Sequence, residues 1–468
     1  MSSEYLLTLR LLPKMRRYLV FVTTTVSLMM YTIDSTVVAV AFPNFIKDLG
    51  TNVVWAGWTV SIYLVAVTAV MPLAGNLSDI FGRKRVFLIS LILFTGSSLI
   101  CGLAPNIYVL VIFRFFQGIG GASFLPTAAG IVSDQFPESR ERAIGLFSSF
   151  FSLGSIIGPN LGGWIVERYS WRYIFYINLP IGIVLIVLII ILLSEATVPL
   201  RPHIDFVGAS FFGGAILFLM LALNLVGENL STFSFPFASL FLVLSFSLLS
   251  LFFREEKKAS SPIVDLGLLK SRPFLAANLY NLIFGMGVFS IFTFIPLYAT
   301  SVHKVSTLIS GVMLTPRSLG ALAASAITSF LLRRCGYRRP MLLGLMIISL
   351  STIVIGQGFW LWTMTGTHLG IAEILSLLVL ISGIGAGIAN PASNNACIEL
   401  MPEKVATITG LRGMFKTVGG ALGVPLITLI LHSSSNPDKG FRITFVSFGL
   451  GLLLAIPLVF LMPTGKTK

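Results

Sequence analysis

Gln117-Gly-Ile-Gly-Gly-Ala-Ser-Phe-Leu-Pro126 and Ser382-Gly-Ile-Gly-Ala-Gly-Ile-Ala-Asn-Pro391 open two stretches that align without a gap, 117–158 onto 382–423. Eleven positions are identical, among them Gly118/Gly383, Pro126/Pro391, Pro137/Pro402, Glu138/Glu403, Gly145/Gly410, Gly154/Gly419 and Gly158/Gly423, and Asp134 faces Glu399. A constant offset held over such a length is the mark of an internal duplication. A weaker echo relates GNLSDIFGRKR at 75–85 to SFLLRRCGYRR at 329–339. The chain is therefore expected to contain two related halves.

The solvent for these halves follows from composition. Of 468 residues, 55% are hydrophobic and 11% charged, with a mean hydropathy of +0.93. An ordinary soluble domain carries roughly 25% charged residues, so much of this surface must face lipid. A membrane span needs about 20 mostly apolar residues to cross a core of roughly 30 Å. Fourteen stretches qualify: 18–42, 54–75, 86–104, 108–133, 143–166, 173–194, 204–226, 233–253, 275–299, 307–332, 340–361, 371–396, 405–431 and 441–462. The duplication pairs the fourth and fifth with the twelfth and thirteenth. The expected architecture is all-α and polytopic, with a six-helix bundle in 1–200, two linker helices and an inner loop in 201–272, and a second six-helix bundle in 273–468. Parallel repeats of this kind place a substrate cavity between the halves and alternate access by rocking.

The formal net charge of +14 is scattered rather than pooled. Basic residues cluster between apolar runs, as at Arg83-Lys84-Arg85, Lys257-Lys258, Arg333-Arg334 and Arg338-Arg339, which argues against a nucleic-acid partner. With the N-terminus inside, outer loops hold six cations (Lys47, Arg168, Arg172, Lys304, Lys439, Arg442) and spans hold four (Arg114, Arg317, Arg412, Lys416), leaving 22 of 32 on the inner side. The positive-inside bias then puts both termini in the cytoplasm of a multi-pass plasma (inner) membrane protein, expected to act as a monomer in the lipid bilayer. No cleavable signal is expected, since the first apolar run continues past Asp34 to Phe42. Cys101, Cys335 and Cys397 are too scattered for a disulfide framework or zinc site.

Ionisable groups inside spans are costly and by default mark a functional pathway. Asp34 stands about ten residues from the outer end of the first span and Arg114 about seven from that of the fourth, so both lie roughly 10–15 Å below the surface. Deprotonated Asp34 is placed to pair with Arg114, and protonation would release the pair; a permanent structural ion pair is the alternative. Arg317 lies at similar depth and Lys416 nearer mid-membrane, and with Asp34, Asn390 and Asn394 they are candidates to line a substrate cavity. Asn224 and Asn395 add polar groups. Arg412, nearer the inner face, is expected to snorkel there. His203, His303, His368 and His432 fall at span ends or in loops and are assigned no proton relay.

Gly75-Asn-Leu-Ser-Asp79-Ile-Phe-Gly82-Arg83-Lys84-Arg85 reads as an inner loop between the second and third spans. Gly82 suits a tight turn with positive φ, Asp79 is placed to cap a helix N-terminus, and Arg83 to reach Asp134. Such a cluster would hold the inner side and release during rocking; a topology anchor is the plainer alternative. In the fifth span, Gly154, Gly158, Pro159, Gly162 and Gly163 allow close helix approach and a bend. No Ser/His/Asp set, metal cluster or cofactor motif stands out, so no enzyme activity, metal or cofactor is expected. Gly465-Lys466-Thr467 resembles the end of a phosphate loop, but Phe460 stands where its first glycine belongs. A gradient must then supply the energy.

These residues together resemble the major facilitator superfamily, in its fourteen-helix drug:proton antiporter branch. The resemblance rests on Ile33-Asp34-Ser35-Thr36-Val37-Val38 with Pro43, the Gly75–Arg85 segment, Arg114 with Gln117-Gly118, Gly154 to Gly163, and Trp171-Arg172-Tyr-Ile-Phe-Tyr-Ile-Asn178-Leu-Pro180-Ile-Gly182. It implies the major facilitator fold, a role for Asp34 and Arg114 in proton coupling or substrate binding, gating by the 75–85 segment, and an antiporter motif at Gly158-Pro159. Ile80 departs from the arginine usual after the loop aspartate. Asp34 is also the one carboxylate well inside a span, so a dicationic substrate fits less well than a neutral, monocationic or anionic amphiphile. The expected activity is proton-coupled export of amphiphilic drugs or related small molecules. Dedicated export of one endogenous metabolite, antibiotic or lipid is the nearest alternative, and a non-transporting membrane sensor or scaffold the alternative of another class.

Overall fold

The computed structural model describes residues 13–194, 206–228, 234–258, 271–357, 370–400 and 405–465. Among the described residues the regular elements are helices alone. A chain that must satisfy its backbone polar groups inside hydrocarbon has only that option or a closed barrel. The long helices are α1 (Pro13–Val37), α2 (Val53–Phe81), α3 (Arg83–Leu103), α4 (Ile107–Ala122), α5 (Phe124–Gln135), α6 (Arg140–Arg168), α7 (Asn178–Leu192), α8 (Phe206–Glu228), α9 (Ser234–Glu256), α10 (Arg272–Ser301), α11 (Thr315–Cys335), α12 (Arg338–Gly356), α13 (Ile371–Leu400), α14 (Val405–Ser433) and α15 (Pro437–Leu453). Short helical segments at Val38–Ala41, Phe42–Asp48, Tyr173–Tyr176, Thr307–Val312 and Ile456–Leu461 extend four of them, the first two both continuing α1.

By length and composition, eleven helices among the described residues can cross a membrane. The other three expected spans coincide with α6, α8 and the Thr307–Val312/α11 pair, whose runs are shortened by polar, small or undescribed positions. Side chains set several boundaries. Asn52 Oδ1 accepts from Trp55 N (3.0 Å) at the start of α2, and Asn106 Oδ1 from Val109 N (3.0 Å) at the start of α4, each filling an orphan donor of a first turn.

One boundary differs from the sequence reading. The 75–85 segment is not an open loop: Gly75 through Phe81 are the last turns of α2, and α3 starts at Arg83. Gly82 alone turns the chain, at φ +91°, a region glycine enters without steric cost. Gly336, its partner in the echo, also has positive φ (+68°), between α11 and α12.

The duplication reappears as packing. A Cβ on Gly118 of α4 would press on the Tyr63 carbonyl of α2 at 2.7 Å, and one on Gly383 of α13 would overlap the Arg317 carbonyl of α11. Gly154 and Gly158 of α6 lie against α1 at Thr32 and Thr36, whereas Gly419 and Gly423 of α14 lie against α10 at Leu282 and Ser290. Glycine removes the side chain where backbones meet. The same glycines thus bring the same helices together in each half of the chain. Helices α8 and α9 pair with one another, and α8 also lies against α2 and α14.

Candidate functional site

Helix α1 packs by one face and carries Asp34 on another. Thr32 and Thr36 meet Gly154 and Gly158 of α6, and Val37 meets Gly162. Asp34, midway between the two threonines, points elsewhere, because successive residues step 100° around a helix. It enters the centre of the first half and is 1% exposed. There Arg114 Nη1 of α4 donates to Asp34 Oδ2 at 2.7 Å. Asp34 Oδ1 accepts from Gln117 Nε2 (2.8 Å) and from Asn178 Nδ2 of α7 (3.0 Å). Ser98 Oγ of α3 accepts from both amides at 3.1 and 3.0 Å and donates to the Phe175 carbonyl.

Arg114 is fully buried, and its Nη2 lacks a hydrogen-bond partner among the described residues. Its Nε donates to the Thr59 carbonyl of α2 (3.0 Å), Nη1 also reaches Gln117 Oε1 (2.8 Å), and its guanidinium lies 4.1 Å from the centre of the Tyr63 ring. The Asp34 carboxylate accepts at three of its roughly four lone-pair positions, and the bond from Arg114 is charge-assisted. Neutralising the carboxylate would weaken that charge-assisted bond. The donors belong to α4 and α7, so the carboxylate joins α1 to two further helices.

The structure thus brings Asp34 and Arg114 together and completes their shell with Gln117, Asn178 and Ser98, which sequence reasoning did not single out as site residues. Gln117 and Asn178 lie inside quoted motifs, and an amide on an apolar face was their available signal. Arg172 anchors this corner: its Nη1 donates to the Gly102 (3.0 Å) and Ala104 (2.7 Å) carbonyls while the guanidinium stacks on Trp171.

Asn390, Arg317 and Lys416 lie in the second half, apart from Asp34. Arg412 Nη2 donates to Asn390 Oδ1, and Lys416 Nζ reaches the same oxygen at 3.5 Å. The Arg317 guanidinium lies 3.6 Å from the centre of the Phe292 ring. Arg412 does not snorkel to the inner face as expected; it is 8% exposed and turned inward, because Asn390 offers both its side-chain and main-chain oxygen one helix away. Asn394 Oδ1 is buried without a hydrogen-bond partner among the described residues, and Asn395 bonds back to Pro391 of its own helix. The side chains of Asn224 and Asp79 lie outside the described residues. Just past the end of α10, burial lowers the pKa of His303 while Asp438 opposes the shift.

At the end of the molecule near residue 82, Arg83 pairs with Asp134 and donates to the Gly130 carbonyl. A Cβ on Gly130 would press on that guanidinium at 3.0 Å, so the glycine opens its path. At the opposite end the halves touch each other. Asn160 Nδ2 donates to Thr315 Oγ1 (2.6 Å), Glu167 Oε2 accepts from Leu308 N (2.6 Å), and Phe42 meets Phe294 edge to face at 5.5 Å. Gly163 lies against Leu308, and Gly311 against the Pro159 carbonyl. One helix, α6, therefore carries Gly154, Gly158 and Gly162 towards Asp34's helix and Pro159, Asn160 and Gly163 towards the other half.

Comparison with known proteins gives the same picture. The profile of the Major Facilitator Superfamily matches residues 24–424, with a second match over 311–468. The chain is 31% identical over 407 residues to the multidrug transporter protein MdtP of Bacillus subtilis (strain 168), covering 86% of this chain and 73% of that one. It is 35% identical over 404 residues to multidrug resistance protein 3 of the same organism, covering 85% and 76%. Among solved structures, a D-xylose-proton symporter superposes with a TM-score of 0.66 at 13% identity, covering 96% of this chain and 99% of that one; that likeness is one of fold.

Proposed function

This chain belongs to the major facilitator superfamily and is a multi-pass membrane transporter rather than an enzyme, and on that premise we propose that it exports amphiphilic drugs or related small molecules in exchange for protons. Its relatives' names, a multidrug transporter and a multidrug resistance protein, support the cargo class. The observation that carries the coupling is the Asp34 carboxylate, sealed from solvent and held by Arg114, Gln117 and Asn178. Fourteen helices cross the membrane in a 6+2+6 order as a monomer, with both termini cytoplasmic. Arg317, Lys416, Asn390 and Asn394 line the substrate path, Gly75, Asp79, Gly82, Arg83 and Asp134 gate the inner side, and the glycines around Pro159 form the hinge between Asp34's helix and the second half.

With that orientation the halves meet at the outer end, so the conformation faces inward. Opening the outer end exposes the region of Asp34 to protons. Protonation weakens the bond from Arg114, lowers the cost of the rearranged packing, and returns the protein inward, where the proton leaves. Breaking a buried ion pair costs about 3–5 kcal/mol when one charge is left behind, enough to make one arrangement depend on the proton. The test is Asp34→Asn in proteoliposomes with an imposed pH gradient and a fluorescent amphiphilic dye. The variant is expected to insert and bind dye while pH-driven flux falls to the protein-free background. Flux equal to wild type would remove Asp34 from the coupling.

A further inference from the structure

Three cations of the second half, Arg317, Arg412 and Lys416, have no carboxylate partner among the described residues. Arg412 and Lys416 are one turn apart on α14 and share a single neutral acceptor, Asn390 Oδ1. Arg317 of α11 is, with Arg412, the charged neighbour of Lys416. Among the described residues none of the three forms an ion pair. Their remaining company is aromatic: Lys416 Nζ lies 5.3 Å from the Phe284 ring centre and 5.2 Å from that of Phe289, and Arg317 stacks on Phe292. Buried Nε–H groups on Arg317 and Arg412 find no acceptor among the described residues.

An aromatic face returns to a cation only part of what its desolvation costs. Three cations within interacting distance add mutual repulsion. What the cluster lacks is negative charge. Its position suits a diffusible occupant: Thr315, two residues before Arg317, receives the Asn160 hydrogen bond across the halves. Arg317 and Lys416 are half-buried rather than sealed, unlike Asp34.

Resting on the transporter reading above, we infer that this cluster is the substrate's charge-recognition site, and that the preferred cargo is an organic anion. The acid group, a carboxylate, sulfonate or phenolate, lies between Arg317, Arg412 and Lys416, and an aromatic or aliphatic body packs on Phe284, Phe289 and Phe292. Lys416 stands near the middle of α14, roughly half of a ~30 Å core from either surface, which suits a transported molecule rather than a phospholipid headgroup.

Two dyes of one ring type and opposite charge test this: fluorescein and rhodamine 6G, followed by fluorescence anisotropy on the purified transporter in dodecyl maltoside at pH 7.5. No gradient is needed, so loss of coupling and loss of anion recognition read out separately. Fluorescein is expected to bind more tightly than rhodamine 6G. Lys416→Gln and Arg317→Gln should each weaken fluorescein about tenfold, the scale of one charge-assisted contact, and leave rhodamine 6G unweakened. Lys416→Arg, which keeps the charge, should retain binding, and a monodisperse gel-filtration profile for each variant guards against misfolding. Tighter binding of rhodamine 6G, an unchanged fluorescein affinity in the Lys416→Gln/Arg317→Gln protein, or displacement of the dye by phosphatidylglycerol at equal concentration would each overturn the assignment.

Discussion

Where Gly158 meets α1, it touches Thr36, and two residues earlier stands Asp34; where Gly423 makes the matching approach to α10, it touches Ser290, and two residues earlier stands Val288. Four residues before Gly118 is Arg114; four before Gly383 is Val379. The ion pair of the first half is thus a pair of buried valines in the second. The reverse holds for the other charges. Gly118 packs on Tyr63 but Gly383 on Arg317, and Phe147 and Phe151 precede Gly154 as Arg412 and Lys416 precede Gly419. Duplication preserved the glycine contacts that set helix approach and left the facing positions free to diverge. One half holds a sealed ion pair, its proton site on the reading proposed above, and the other a set of cations that form no ion pair among the described residues, its ligand site on that reading.

The largest expected effect comes from undoing the first half's choice. Arg114→Ala strands the Asp34 carboxylate and should cost about 3–5 kcal/mol of stability, or force Asp34 to remain protonated. Asp34→Val with Arg114→Val copies the second half's solution into the first. Replacing a buried pair by apolar residues is often neutral or stabilising by about 1–4 kcal/mol, so thermal unfolding in detergent should recover to the wild-type midpoint or above. Flux driven by a pH gradient should stay at background. If the double variant keeps pH-driven transport, the pair is structural, and the contrast between the halves says nothing about protons.

A smaller effect tests what the halves share. A methyl group on Gly158 overlaps Thr36 Oγ1, and one on Gly423 overlaps Ser290 Oγ. Overpacking of this kind costs about 1–3 kcal/mol. Gly158→Ala and Gly423→Ala should therefore lower the unfolding midpoint by similar amounts, and Thr36→Ala or Ser290→Ala should recover part of each loss, since the Ile33 and Met286 carbonyls still lie 3.0 and 2.9 Å from the added methyl. Only Gly158→Ala should also shift the pH dependence of transport, because its contact holds the helix of Asp34. Equal shifts from both variants would mean that the hinge is not specific to the proton-bearing half.

The pairing of Asp34 with Arg114 was legible in the sequence because each is an isolated charge in an apolar run, and their depths agree to within a turn. The glycine pattern was legible for a similar reason, since a constant offset survives divergence at other positions. The rest of the shell was not. Gln117, Asn178 and Ser98 are neutral, and from sequence an amide that holds a carboxylate looks like one that joins two helices. Arg412 misled because a cation near a helix end has water within reach of its stem, and only the placement of Asn390 turns it inward. The 75–85 segment misled because its charges and glycines read as a loop, while the break needed just one residue, Gly82.

The smallest expected effect concerns the contact between halves. Glu167 Oε2 accepts from the Leu308 amide at 2.6 Å, and both partners are near the surface, so the bond belongs to the weak end of its class. Glu167→Gln keeps the size and an acceptor but removes the charge, which should cost about 0.5–1 kcal/mol and raise the ratio of outer-open to outer-closed protein about two- to fivefold. Spin labels at Lys47 and Lys304, exposed positions on the two halves, would report this as a larger long-distance fraction by pulsed electron resonance. An unchanged distribution would mean that Gly163, Gly311 and Asn160 close that end by packing and neutral hydrogen bonding alone. The second half would then meet the first without electrostatics, and all proton sensitivity would reside around Asp34.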